Sequence, residues 1–171
     1  MKVDDLADLL DDTVGSICRY PEKVLIELEE MRHSVFMSIK VDVQDQAKVV
    51  GSKGATIKAI KNIFENVYVL NPKDYSEKSV RIYLESPGGE RSKSEKFHAA
   101  INFDPKPYEE LLGSLTKLYA EPNISCAKIS DVYIIEVTTK KTINESIKDS
   151  IKWIVTSAAK CNGGSIEVSY A

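Results

Sequence analysis

The sequence predicts an α+β protein made of two domains. Segments with apolar residues every three or four positions alternate with segments in which apolar residues recur at every second position, which indicates both helices and strands. A polar stretch rich in glycine, serine and lysine separates two such series, and the order of segments before it is partly repeated after it. We therefore predict a first domain at residues 1–86, a linker at 87–104 and a second domain at 105–171.

The first domain is predicted to run helix, strand, strand, helix, helix, strand. Alternating apolar residues over 24–28 and 35–41 predict a β-hairpin with its turn at 31–34. Two helical segments at about 44–50 and 55–65 follow, separated by Gly51-Ser52-Lys53-Gly54, and a strand over 80–84 completes the domain. The first helix, which Pro21 is expected to end, is predicted from five apolar residues at helical spacing: Leu6, Leu9, Leu10, Val14 and Ile17.

The second domain is predicted to run helix, strand, strand, helix, strand. Its segments are a helix over 108–118, strands over 124–129 and 132–137, a helix over 143–158 and a strand over 166–170. Thr142 and Glu145 have the spacing of a capping box and predict that the long helix begins beside Thr142. No glycine stands between the hairpin and this helix, so the helix–loop–helix of the first domain is not repeated.

Composition narrows the possible functions. The chain has 171 residues with 23 basic and 26 acidic side chains, a net charge of −3, so charge alone would not make it coat nucleic acid. No apolar run suits a membrane helix and the N-terminus lacks a signal-peptide pattern, so we expect a cytoplasmic protein with no membrane contact. Three scattered cysteines and two histidines give no metal-ligand spacing and no nucleophile relay. We expect no enzyme, no metal site and no cofactor.

The glycine loop is the most informative motif. Two glycines allow a sharp turn and a close backbone approach, and the N–H groups of the loop and of the following helix N-terminus attract phosphate. Four lysines and no acids lie between residues 48 and 61, namely Lys48, Lys53, Lys58 and Lys61. Four apolar residues beside the loop are expected to form the floor of a groove for bases: Val49, Val50, Ile57 and Ile60. At least half of them are expected to pack in the core.

Together with the order of elements, this motif resembles a known family. The pattern D-x-x-x-V-V-G-x-K-G-x-T-I-K-A-I over residues 45–60, after a helix and a hairpin, resembles a type II KH domain, and most of all the small bacterial single-KH RNA-binding proteins. The resemblance covers about residues 5–85. It implies that Gly51, Ser52, Lys53 and Gly54 hold the backbone of about four unpaired nucleotides. The second domain is expected to be a KH-like fold without the G-x-x-G loop.

The sequence leaves other interpretations open. The loop could be a plain tight turn, the domain could be a protein–protein scaffold that binds no nucleic acid, or it could bind single-stranded DNA. The second domain is expected to bind a protein partner, form a homodimer or brace the first domain. Tyr68, Tyr75 and Tyr83 could stack on bases, although ordinary sheet packing is the simpler expectation for Tyr83. Trp153 is expected at the edge of a core or as an anchor.

Overall fold

The computed structural model describes residues 2–70, 77–85, 103–129 and 132–171. The chain divides into two compact units, Met1–Ser94 and Glu95–Ala171. Most of the linker predicted at 87–104, including Phe97 and Ile101, lies outside the described residues, as does Tyr75. Helices and strands occur in both units, so the α+β class predicted from the sequence is confirmed.

Unit 1 contains three helices and four strands among its described residues. The helices are α1 (Val3–Gly15), α2 (Val43–Val50) and α3 (Ala55–Phe64), and the strands are β1 (Leu25–Glu30), β2 (Ser34–Lys40), β3 (Tyr68–Leu70) and β4 (Glu77–Leu84). The sheet order is β1-β2-β4-β3. The β1–β2 and β3–β4 pairs are antiparallel, whereas β2 and β4 run parallel because α2 and α3 form the crossover between them.

The helices of unit 1 cover one face of this sheet. Burial alternates along β2 and β4, as expected for strands with one face on the core. The completely buried large side chains of unit 1 come from both layers: Leu6, Leu10, Ile17, Met37, Ile39, Ile60, Ile63, Phe64 and Ile82. On the opposite face, Phe36 and Tyr83 stack with ring centroids 5.8 Å apart.

Three details of unit 1 differ from the sequence prediction. Helix α1 ends at Gly15, two residues before Ile17, which is nevertheless buried. Pro21 begins a short 3₁₀ turn and is not the residue that ends the helix. Strand β3 was not predicted, because three residues are too few to show a period-2 pattern.

Unit 2 is built from α4 (Lys106–Lys117), β5 (Pro122–Ile129), β6 (Val132–Thr139), α5 (Glu145–Cys161) and β7 (Ile166–Tyr170). Its sheet order is β5-β6-β7, with β5 antiparallel and β7 parallel to β6. This is the pairing of β1, β2 and β4 in unit 1. A single helix, α5, stands where unit 1 has α2, the glycine loop and α3.

The start of α5 and the end of the predicted linker differ from expectation. Asn144, and not Thr142, caps α5, since its side chain accepts a hydrogen bond from the N–H of Ser146 at 2.9 Å. Phe103 was placed in the linker but packs on unit 2, stacked on Tyr108 at 5.2 Å between ring centroids. Trp153 is 44% exposed on α5. Within the described ranges, no helix is long and apolar enough to cross a membrane.

Candidate nucleic-acid interface

The glycine loop between α2 and α3 turns through three residues with positive φ. Gly51 has φ 72° and ψ 176°, a region almost restricted to glycine, and Gly54 has φ 78° and ψ 18° in the left-handed region. Lys53 also lies in the left-handed region, at φ 53° and ψ 26°. A lysine there carries a conformational cost that glycine or asparagine would largely avoid. The loop therefore holds Lys53 exposed at the tip of a strained turn.

Close packing under the loop also requires a glycine at position 51. A Cβ placed on Gly51 would lie 2.8 Å from the backbone nitrogen of Thr56 and would overlap the Thr56 side chain. Thr56 is itself buried in the first turn of α3. The loop backbone is therefore pressed against the start of α3.

Hydrogen bonds inside the loop use only some of its N–H groups. Gly51 donates to the carbonyl of Ala47 at 3.0 Å, Gly54 donates to Gly51 at 3.2 Å, and Ala55 donates to Ser52. Among the described residues, none accepts a hydrogen bond from the N–H of Ser52 or Lys53. Helix α3 begins at Ala55, and its N-cap residue, Gly54, provides no side-chain cap. These groups give the loop the partial positive charge that suits a phosphate oxygen.

Three lysines add full positive charge around the loop. Lys53 and Lys58 are exposed, Lys61 is half-buried, and none of the three forms an ion pair with another described residue. The alkyl chain of Lys58 lies over Gly54, with its Cε 3.9 Å from where a Cβ on that glycine would be. A phosphate on the loop would therefore lie within reach of two exposed ammonium groups.

Lys48 has a different role from the other three lysines. Its Nζ lies 3.0 Å from Oδ1 of Asp45, whose side chain is 1% exposed. The other carboxylate oxygen of Asp45 accepts the N–H of Tyr20 at 2.9 Å. Lys48 is thus paired with a buried carboxylate, and that carboxylate links α2 to the segment after α1. Lys48 therefore contributes less positive charge to the loop than the sequence predicts.

The four apolar residues beside the loop divide into two pairs. Val50 and Ile57 are partly exposed and can offer surface to a base. Val49 and Ile60 are 0% exposed, so they pack in the core and support the loop and α3 from below. The apolar floor available to a ligand is therefore half as large as the motif suggests.

Asp42 holds the start of the helix that presents the loop. Its side chain caps α2 by accepting the N–H of Gln44 at 3.0 Å, and its other oxygen lies 2.7 Å from Nζ of Lys23. The hydrogen bond from Lys23 and then that from Gln44 lower the pKa of Asp42. The position of α2, and with it the loop, thus depends on an ionised carboxylate.

Helix α3, which follows the loop, packs beside β4. The ammonium of Lys61 lies 5.7 Å from the ring centroid of Tyr83, which is 49% exposed. One helical turn further, Oε1 of Glu65 accepts the backbone N–H of Ile82 at 2.8 Å. An aromatic ring, a cation and a carboxylate therefore lie beside the same strand edge.

Glu65 and Ile82 are site residues that sequence reasoning did not single out. Nothing local marks Glu65, which follows α3 directly, because its partner lies 17 residues away. Tyr83 was considered for stacking but expected to pack in the sheet, and its exposure makes it available to a ligand. Of the other tyrosines considered, Tyr68 is exposed on β3.

The arrangement brings together several kinds of group that can bind a ligand. It offers N–H donors, ammonium groups, a ring face and one carboxylate. Across the described parts of the chain, no three His, Cys, Asp or Glu side chains gather into a group that could hold a metal ion. No protein-family model matches this chain, and no curated protein matches it in sequence.

Proposed function

We propose that unit 1 is a type II KH domain that binds single-stranded RNA without catalysing a reaction. The observation that carries the proposal is the loop Gly51–Gly54. It is exposed at its tip, positively charged and open at the backbone N–H groups of Ser52 and Lys53. Such a surface fits the phosphates of a few unpaired nucleotides, whose bases would lie along the groove beside α3.

The topology of unit 1 supports this assignment. A helix, an antiparallel strand pair, two helices joined by a glycine loop and a strand parallel to β2 follow one another along the chain. This is the order on which the resemblance to type II KH domains rests. Strand β3 is an addition that lies at the edge of the sheet.

Binding through this site is expected to be weak. One clamp with three lysines, none of which forms an ion pair with another described residue, makes few phosphate contacts, and the chain as a whole carries a charge of −3. Useful affinity would need a second module or a second subunit. For unit 2, whose 8 basic and 8 acidic residues over 105–171 balance, we propose a protein partner, dimerisation or support of unit 1.

The test is fluorescence anisotropy with a short random pool of single-stranded RNA. Protein is titrated to roughly 100 µM, within the range of non-specific binding. Wild type should bind, and the double variant Ser52→Asp, Lys53→Asp should lose binding while circular dichroism shows it folded. A pool of single-stranded DNA run in parallel distinguishes the DNA alternative.

The other outcomes are equally informative. Equal binding by wild type and the double variant would place the site away from the loop. No binding by either at low salt would favour a protein–protein scaffold with a KH fold.

A further inference from the structure

We propose that unit 2 joins a second copy of this chain through the free edge of β5, which pairs antiparallel with β5 of the other copy about a two-fold axis. Two-fold homodimers, in which the same surface of each copy meets, are the commonest oligomers. Of the roles proposed for unit 2, this one names the partner, and it holds whether or not unit 1 binds RNA. A dimer would also supply the second subunit that useful affinity for RNA needs.

Strand β5 is the longest and least charged edge strand among the described residues. Unit 1 is bounded by β1, which carries Glu27, Glu29 and Glu30 in six residues, and by β3, which has three residues. Unit 2 is bounded by β7, with five residues, and by β5, with eight residues of which Lys128 alone is charged. Short or charged edges deter pairing with another chain, whereas a long edge with little charge favours it.

The hydrogen bonds of β6 determine which backbone groups of β5 face outward. The N–H of Tyr133 donates to the carbonyl of Ser165 at 3.0 Å, and the carbonyl of Val137 accepts the N–H of Ala171 at 2.9 Å. These odd-numbered residues of β6 therefore face β7. Because the backbone groups of successive residues in a strand point in opposite directions, the even-numbered residues of β6 bond to β5.

The register of the β5–β6 pair then identifies the open groups of β5. Ile134 of β6 lies opposite Ala127, so the odd-numbered residues of β5 bond to β6. The N–H and C=O groups of Ile124, Cys126 and Lys128 consequently face the free edge. Within the part of the chain that the structure describes, no group forms a hydrogen bond with them. The side chains of Cys126 and Lys128 are also exposed, so the edge is accessible.

A proline determines the register of the proposed pairing. A two-fold axis at Ser125 would place Pro122, which has no N–H, opposite Lys128 of the second copy and would lose hydrogen bonds. An axis at Cys126 leaves Pro122 outside the pairing. It places Ile124 opposite Lys128 of the second copy and Cys126 opposite its own equivalent, and each of these pairs can exchange two hydrogen bonds.

The charges around this axis balance. On α4, the carboxylate of Glu109 accepts a hydrogen bond from the thiol of Cys126. Lys128, two residues further along β5, lies on the same face of the sheet, with its ammonium 5.2 Å from the ring centroid of Tyr133. Neither Glu109 nor Lys128 forms an ion pair with another described residue. The dimer would bring two of each beside the axis, where diagonal neighbours across the strands attract.

The experiment is sedimentation velocity on the full chain from about 1 µM to about 1 mM, the range of weak interfaces. Wild type should shift from monomer to dimer within this range. Cys126→Pro removes an outward N–H while the bonds between β5 and β6 remain. Because the axis doubles that loss, this variant should raise the dissociation constant at least about tenfold. Circular dichroism would show that it is folded.

Lys128→Glu is the second variant, and it changes only an exposed side chain. It would place four carboxylates beside the axis, so it should also raise the dissociation constant at least about tenfold. Lys141→Glu is the matched control, because it makes the same charge change at an exposed lysine beyond the end of β6. Its dissociation constant should equal that of wild type.

Cross-linking tests the register without any variant. The Cα atoms of a hydrogen-bonded antiparallel pair lie about 5.5 Å apart, so a short bifunctional maleimide should join Cys126 of the two copies. Mass spectrometry of the linked peptides would identify the bond, and its absence from the dimer would overturn the proposed register.

Two sedimentation results would overturn the inference as a whole. The first is a wild-type chain that stays monomeric throughout the concentration range. The second is a dimer that resists both Cys126→Pro and Lys128→Glu, or that Lys141→Glu weakens equally. A monomer that binds RNA would leave the proposed function of unit 1 intact, and a dimer that binds no RNA would leave the β5 interface intact.

Discussion

Gly51 lies so close to Thr56 that a Cβ on the glycine would come within 2.8 Å of the threonine backbone nitrogen. The backbone of Gly51 also occupies a region, at φ 72° and ψ 176°, that other residues hardly adopt. The close contact with Thr56 and the backbone conformation therefore both require a glycine at position 51.

The two loop glycines should respond differently to the same substitution. Gly51→Asn should destabilise unit 1 by roughly 1–3 kcal/mol, because it combines an unfavourable φ/ψ region with a clash. Gly54→Asn should cost less than about 1 kcal/mol, since asparagine visits the left-handed region and a Cβ there would make only ordinary contacts, 3.9 Å from side-chain atoms of Ile57 and Lys58. Urea unfolding followed by circular dichroism would measure both. Equal losses of unfolding free energy in the two variants would mean that the loop rearranges to accommodate either side chain.

Lys53 should show opposite effects on stability and binding. Lys53→Asn removes a left-handed lysine and should leave stability unchanged or raise it by up to about 1 kcal/mol. The same variant should bind single-stranded RNA more weakly, because it loses an ammonium group beside the clamp. Thermal melting and anisotropy on one preparation would measure both effects. A variant that is less stable and binds as wild type does would contradict the role given to Lys53.

Lys58 and Lys48 form a matched pair for testing which lysines face the ligand. If Lys58 contacts one phosphate, Lys58→Gln should reduce the magnitude of the slope of log K against log salt concentration by about 0.7. Lys48→Gln should change that slope less, since Lys48 is held by Asp45. It should destabilise the fold instead, because a carboxylate that is 1% exposed loses its cation. Slopes that change equally would mean that the ion pair opens on binding.

Asp42 should make the stability of unit 1 depend on pH below the neutral range. Its pKa is lowered in the folded state by Lys23 and by the N–H of Gln44, so its contribution is complete above the unfolded pKa and is lost as pH falls through the folded value. Asp42→Asn keeps a capping oxygen without the charge. Its melting temperature should therefore lie below that of wild type at pH 7, and the gap should begin to close below about pH 4 and vanish only below the lowered pKa of Asp42.

Asp42→Ala serves as the second variant, since it removes both the cap and the charge. It should melt below Asp42→Asn at pH 7. Curves for wild type and Asp42→Asn that stay parallel down to low pH would show that the charge of Asp42 does not stabilise the folded state.

Local patterns were enough to predict the elements that frame the loop. Both α2 and α3 lie within one residue of their predicted bounds, because amphipathic segments on either side of two glycines constrain the chain locally. The cap of α5 was placed two residues too early. Thr142 and Asn144 are both good capping residues, and only the observed hydrogen bond to Ser146 distinguishes them.

The contacts between the end of α3 and β4 could not be predicted in the same way. The bond between Glu65 and Ile82 exists because β4 lies parallel to β2 and extends past β3, which is a property of the assembled sheet. The pairing of Lys48 with Asp45 was within reach, since the two residues are three apart on one helix. The count of four lysines and no acids starts at residue 48, so it leaves out Asp45, which lies one helical turn earlier.

Cys126 on β5 should react slowly with alkylating reagents although its side chain is exposed. Partial burial, a hydrogen bond to Glu109 and the charge of Glu109 raise the pKa of this thiol to about 11. At pH 8 the thiolate is therefore scarce, and the thiolate is the reactive form. Glu109→Gln should lower the pKa and speed the reaction of Cys126 with iodoacetamide, as followed by mass spectrometry of the modified peptide. Glu110→Gln, one residue further along α4, is the control and should leave the rate unchanged. A rate in wild type equal to that of a free cysteine would show that Glu109 does not hold the thiol proton.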